Sequence, residues 1–121
     1  MRYDSSNVFA KILRKELSVE PVFEDDFIVA INDIKPQAPV HVLVIPKGCY
    51  SSPTHFMVAA PAEEIVGFWR GVYTVISLLG LDKKGVRLVA NDGEDGGQEV
   101  SHFHLHLLGG RALGAVVCKH G

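Results

Sequence analysis

Three histidines at alternate positions, His102, His104 and His106, interleave with three apolar residues, Phe103, Leu105 and Leu107. Successive side chains of an extended strand point to opposite faces. The spacing therefore predicts a last strand over Val100–Leu108 with the imidazoles on one face and the apolar groups on the other. A row of imidazoles is costly to bury and has no obvious packing role, so it points to chemistry. Two kinds are open. One is metal binding, because imidazole is a common zinc ligand. Strand geometry restricts it: residues four apart are separated by about 13 Å along the backbone, so only adjacent members can share an ion, with His41 or Glu99 as a third ligand. The other is nucleophilic attack on phosphorus, with flanking imidazoles holding the phosphate oxygens. The loop ahead of the row, Asn91-Asp92-Gly93-Glu94-Asp95-Gly96-Gly97-Gln98, suits the second chemistry. Gly96 and Gly97 let backbone N–H groups approach an anion, provided that Asp92, Glu94 and Asp95 face solvent.

The elements that must position these residues follow from apolar spacing. Val8, Phe9, Ile12, Leu13 and Leu17 predict a first helix, capped by Ser6 or Asn7 and stopped at Glu20-Pro21. Val22–Glu24 and Phe27–Ile31, joined by Asp25-Asp26, predict a hairpin. The proline-marked loop Asn32–Pro39 leads into a buried strand, His41–Ile45, ended by Pro46. Lys47–Ala60 has no clear periodicity. Pro61 opens a long helix whose apolar stripe is Ile65, Phe68, Trp69, Val72, Val75, Ile76 and Leu79, and Gly80 closes it. Gly67 and Gly71 within the stripe mark a close approach to a sheet. Val86–Ala90 predicts a further strand. Strands and helices do not alternate strictly, so the fold class is α+β with a mainly antiparallel sheet.

Composition bounds the setting. The chain has 121 residues, 47% hydrophobic and 21% charged, with a formal net charge of −2. These values predict one folded domain, 1–121, and argue against disorder. The near-neutral balance argues against nucleic acid held on a broad basic face. Met1–Ser6 does not read as a signal peptide. The longest apolar stretch, Ile65–Leu79, is too short and, with Arg70 and two glycines, too polar to span a bilayer, so no membrane partner is expected. Cys49 and Cys118 match no metal or redox spacing, and a cytoplasmic setting is expected. His55 and His120 are expected at the surface.

His102-Phe103-His104-Leu105-His106-Leu107-Leu108 resembles the motif of the histidine triad (HIT) family. Phe9, Phe23-Glu24-Asp25-Asp26, Asp33-Ile34, Pro36–Pro39, His41, Val44–Lys47, Asn91, Gly96-Gly97-Gln98 and Gly109-Gly110-Arg111 resemble its Hint branch. The resemblance covers roughly residues 7–111 and leaves a tail, 112–121. It implies an α+β domain with a five-stranded antiparallel sheet and two main helices, the sheet continuing across a homodimer. It implies binding of purine nucleoside monophosphates and hydrolysis at the α-phosphorus of phosphoramidates or aminoacyl-adenylates, without a metal or other cofactor. His104 is the implied nucleophile, transiently nucleotidylated. His102 and His106 flank it, His106 on the phosphate oxygens, and His41 completes the cluster. Asp33 is implied to accept from the ribose hydroxyls. Val8, Phe9, Ile12, Ile31, Asn32, Ile34 and Leu43 form the base side; Asn91, Gly97, Gln98, Glu99 and Val100 form the phosphate side.

The chain departs from the family at three places. Cys49 stands where many members have histidine, Glu99 where animal members have serine, and the tail lacks a tryptophan-and-proline ending. Glu99 next to a phosphate is expected to protonate and act as a general acid, or else to turn outward. Arg111 is expected at an interface or turn. A nucleotide-binding regulator and a zinc-binding module remain the alternative functions.

Overall fold

The computed structural model describes residues 2–117; Cys118 and His120 lie outside the described residues. The order is α1 (Val8–Leu13), β1 (Phe23–Glu24), β2 (Ile28–Asn32), β3 (Val40–Pro46), α2 (Pro53–Ala59), α3 (Ala62–Leu78), β4 (Arg87–Val89) and β5 (Leu105–Gly109). The strands form one five-stranded sheet in the order β1-β2-β3-β5-β4. Every neighbouring pair is antiparallel. The expected class and sheet are therefore found.

β2 and β3 are buried on both faces, which is why they read as continuous apolar runs. On one face, Ile28, Ala30, Val42, Val44, Leu105 and Leu107 meet Phe56 of α2, Phe68, Val72 and Val75 of α3, and Phe103. The three phenyl rings pack with centroids 5.0–5.2 Å apart. Gly71 is required for this approach: a Cβ there would stand 2.6 Å from Cδ1 of Ile28. Gly67 does the same against the ring of Phe27. On the other face, Val29, Ile31, Leu43 and Ile45 pack under Phe9, Ile12 and Leu13 of α1 and under Val100.

The hairpin between β1 and β2 forms as expected, pairing Phe23 with Ala30. Its turn lacks glycine and is held by Asp25 Oδ1, which accepts from the N–H groups of Phe27 and Ile28 at 2.8 and 2.9 Å. Two elements differ from expectation. The first helix stops at Leu13 instead of extending to Leu17, because Lys15 adopts φ 62° and the Glu16 N–H returns to the Lys11 carbonyl at 2.9 Å. This is a Schellman ending with lysine in the left-handed position. The segment Lys47–Ala60, expected to be irregular, contains α2. Ser52 caps it by accepting from the His55 N–H at 3.1 Å, and Pro53 sits in its first turn. Among the described residues, no helix is long and apolar enough to cross a membrane.

Candidate functional site

β5 begins at Leu105, so His102 and His104 precede it in an irregular segment instead of standing on one continuous strand. The three imidazoles are therefore not in a row. Ring centroids of His104 and His106 lie 5.2 Å apart and both rings are half-buried. His102 is fully buried at 0% exposure. Its Nε2 stands 2.8 Å from the Pro46 carbonyl and its Nδ1 2.8 Å from the Tyr3 hydroxyl. With both ring nitrogens occupied, His102 has no atom to offer a phosphate. Its side chain lies beneath the site, and it reaches the neighbouring His104 through its backbone carbonyl.

The hydrogen bonds assign the tautomers. A carbonyl only accepts, so His102 carries its proton on Nε2 and takes the Tyr3 O–H on Nδ1. His104 Nδ1 lies 2.8 Å from the His102 carbonyl and must donate to it, which leaves the Nε2 lone pair of His104 free. The backbone N–H of Gln37 donates to His41 Nδ1 at 3.0 Å, so His41 carries its proton on Nε2. That Nε2 is 2.9 Å from His106 Nδ1 and 3.4 Å from Asp33 Oδ2. His106 thus accepts on Nδ1 and presents an Nε2–H donor. A nucleophilic nitrogen on His104 and a donor on His106 stand side by side.

Burial sets the charge of these rings. It pushes His102 and His106 down to about 4, with the neighbouring His104 and His41 adding to the shift at His106. Burial also holds His104 below the ordinary histidine value, opposed by its bond to the His102 carbonyl and by the carboxylates of Asp33 and Glu99. The three rings are neutral at pH 7.

The other expected residues gather unevenly around this pair. Phe9 is buried, with its ring edge-on to His104 at 4.8 Å between centroids. Ile12, Ile31, Leu43 and Val100 belong to the same apolar cluster. Val8 is exposed at the start of α1, and Asn32 is exposed at the end of β2. Ile34 projects outward at 92% exposure. Asp33 Oδ1 caps the loop by accepting from the Lys35 N–H at 2.8 Å, while Oδ2 faces His41 Nε2 at 3.4 Å.

The glycine loop is built differently from expectation. Gly97 adopts φ 77°, but its N–H bonds to the Glu94 carbonyl and that of Gln98 to the Gly93 carbonyl, both at 3.0 Å. The Gln98 side chain is spent on the loop as well, accepting from Gly93 and donating to Ser51 and Val100 carbonyls. Asn91 Nδ2 closes the loop onto the Gly96 carbonyl at 2.6 Å. The Gly97 and Gln98 N–H groups thus hold a bend, while those of Gly96, Glu99 and Val100 have no hydrogen-bond partner among the described residues. Glu94 and Asp95 are exposed as expected, whereas Asp92 accepts from the Thr54 N–H at 2.8 Å and ties the loop to α2. Glu99 is exposed, yet close enough for its charge to act on His104. His55 is at the surface, and Arg111 serves a turn, donating to the Ala112 carbonyl at 2.8 Å.

Among the described residues, Asp33, His41 and His106 bring ligand atoms within 4.8 Å of one another and form a candidate metal group. An ion there would replace the proton shared by His41 and His106. The group holds His106 and the expected His41, with Asp33 in place of a second histidine of the motif.

Sequence reading missed Tyr3 and Gln37, both of which act on site histidines from loops without periodicity. Only the backbone of Gln37 is involved, so its residue type carries no signal.

Comparison with known proteins agrees with this geometry. The chain is 45% identical over 117 residues to an uncharacterised HIT-like protein of Azospirillum brasilense, covering 97% of this chain and 96% of the relative. It is 42% identical over 115 residues to the purine nucleoside phosphoramidase of Escherichia coli K12, covering 94% and 95%. The solved structure of a HIT family hydrolase from Clostridium thermocellum superposes with a TM-score of 0.83 at 37% identity, covering 95% of this chain and 99% of that one. The model of the HIT domain matches residues 14–113, and the chain belongs to the HIT domain family.

Proposed function

We propose that the chain is a nucleotide-binding hydrolase that cleaves at the α-phosphorus of purine nucleoside phosphoramidates or aminoacyl-adenylates. The observation that carries this reading is the free Nε2 lone pair of His104, created by its Nδ1–H bond to the His102 carbonyl. His104 Nε2 attacks phosphorus and the bond to the leaving group breaks: from a phosphoramidate the amine departs with a proton, and from an aminoacyl-adenylate the carboxylate departs as it is. Water then attacks the nucleotidyl-histidine, the P–N bond to His104 breaks, and the nucleoside monophosphate leaves. The imidazolium formed in between is stabilised by the same carbonyl, now accepting from a charged donor.

His106 donates from Nε2 to a phosphate oxygen, and His41 holds it in that tautomer. The N–H groups of Glu99 and Val100 meet a second oxygen, on the bend made by Asn91, Gly97 and Gln98. Asp33 accepts from the ribose hydroxyls. Phe9, Ile12, Ile31 and Leu43 wall the base, with Val8, Asn32 and Ile34 at its rim. Glu99 supplies the proton to the amine. The name of the Escherichia coli relative supports the choice of substrate. The active form is a homodimer: Val66, Trp69, Tyr73 and Leu78 leave an exposed apolar stripe on α3, and β4 leaves an open sheet edge. The exposed free thiol of Cys49 fits a cytoplasmic setting.

The test is turnover of adenosine 5′-phosphoramidate by native protein and by His104→Asn, with monophosphate binding measured on both. Native turnover, a loss of more than about a hundredfold in the variant and binding kept within a few-fold are expected. Activity retained in the variant, or absent from the native protein, would overturn the assignment.

A second reading, a zinc module, rests on the Asp33, His41 and His106 group. Stoichiometric zinc in protein purified without added metal, and turnover lost in chelator, would favour it.

A further inference from the structure

The segment ahead of α1 reaches the site from outside every regular element. Asp4 N–H donates to Ser101 Oγ at 3.0 Å, and the Tyr3 hydroxyl meets His102 Nδ1 at 2.8 Å, the two residues being 99 apart in sequence. Asn7, the cap of α1, fastens the same segment by donating from Nδ2 to the Asp4 carbonyl at 2.7 Å. The Tyr3 ring also packs against the His102 ring, tilted by 59°, with centroids 5.5 Å apart.

These contacts form one line of hydrogen bonds. Tyr3 O–H donates to His102 Nδ1, His102 Nε2–H donates to the Pro46 carbonyl at the end of β3, and the His102 carbonyl accepts from His104 Nδ1–H. His102 has no contact with solvent, so its Nδ1 has no other donor available. A buried imidazole nitrogen without a donor is costly, and the ring relieves that cost by rotating. That movement releases the Pro46 carbonyl and shifts the backbone carbonyl that orients the nucleophile. Burial, together with the Cys49 thiol, pushes the Tyr3 phenol up, so the hydroxyl keeps its proton at neutral pH.

We propose that Tyr3 is a positioning residue for the reaction at His104: its hydroxyl holds the buried His102 in the orientation that aims the lone pair of His104. The proposal rests on His104 being the nucleophile. Sequence distance hides it, since nothing in the neighbourhood of Tyr3 resembles a site.

Tyr3→Phe removes the hydroxyl and keeps the ring packing, so the full chain carrying it is the test protein. The single-turnover rate of His104 nucleotidylation on adenosine 5′-phosphoramidate is expected to fall about tenfold, with KM changed less than about twofold. In ¹⁵N spectra of the imidazoles, without substrate, the unprotonated Nδ1 resonance of His102 is expected to move downfield. A native rate, a change confined to KM, or an unmoved His102 resonance would overturn the proposal. A native protein without turnover would instead overturn the reading of His104, and this assignment with it.

Discussion

The two faces of the sheet solve different problems with similar materials. Under α3, three phenyl rings and the aliphatic residues of β2, β3 and β5 form a dry layer, with the glycines of the helix allowing contact. Under α1, a six-residue helix covers only part of the opposite face, and imidazoles take the place of further apolar residues. The first face supplies cohesion. The second uses that rigidity to keep His102, His104 and His106 neutral and, together with His41, hydrogen-bonded in fixed tautomers. Polar groups are tolerated there because each finds a partner: no buried side-chain nitrogen or oxygen is left without one among the described residues.

The contrast is broken most directly by truncating one ring on each face. Phe68→Ala empties the centre of the dry layer and is expected to cost about 3–5 kcal/mol in urea unfolding, with activity per folded molecule unchanged. Phe9→Ala, beside His104, is expected to cost less stability and to raise KM. Equal loss of activity in both variants would erase the distinction.

A pH titration sharpens it next. His102 binds a proton near 6.5 when unfolded and near 4 when folded. The unfolded chain therefore takes up protons first on acidification. Stability is full above about pH 6.5, is lost as pH falls towards 4, and the loss from this one ring is on the order of 3 kcal/mol. Thermal melts at constant ionic strength measure it, and a His102→Asn protein should show a shallower acid slope. An identical slope in that variant would show that the buried ring is not the source.

The smallest effect concerns the rim. Asp33 is expected to favour ribose over 2′-deoxyribose substrates by about tenfold in kcat/KM, the value of a hydrogen bond to a charged acceptor. Asp33→Ala should treat the two nearly alike. Unchanged discrimination would leave Asp33 with its loop bond to Lys35 alone.

Much of this was legible where local chemistry and tertiary packing agree. α3 and α1 end in the same Schellman geometry, but α3 uses Gly80 at φ 72° and α1 uses Lys15 at φ 62°. Glycine announces such an ending and lysine does not, so one boundary was readable and the other was placed too late. The close approach of Gly67 and Gly71 was readable for the same reason as Gly80, and the hairpin and β3 from their apolar and β-branched runs. The histidines were found, but not their division of labour. Alternation was assumed to run back to Val100, whereas the ladder begins at Leu105 and the Phe103 N–H goes to the Tyr50 carbonyl instead. α2 was missed because Ser52-Pro53 is a short signal in a weakly patterned stretch. The bond from Tyr3 to His102 spans 99 residues of sequence, and no local pattern can encode it.

The ends of the sheet carry a consequence for behaviour at high concentration. Exposed strand edges recruit further strands, and an unguarded edge seeds fibrous aggregates. Here one edge is β1, only two residues long, with Glu24 ion-paired to Lys47 at 2.9 Å. The other is β4, three residues long, where Arg87 holds the Gly114 carbonyl at 2.6 Å and draws the following chain alongside. Each edge is too short and too charged to template an open-ended stack.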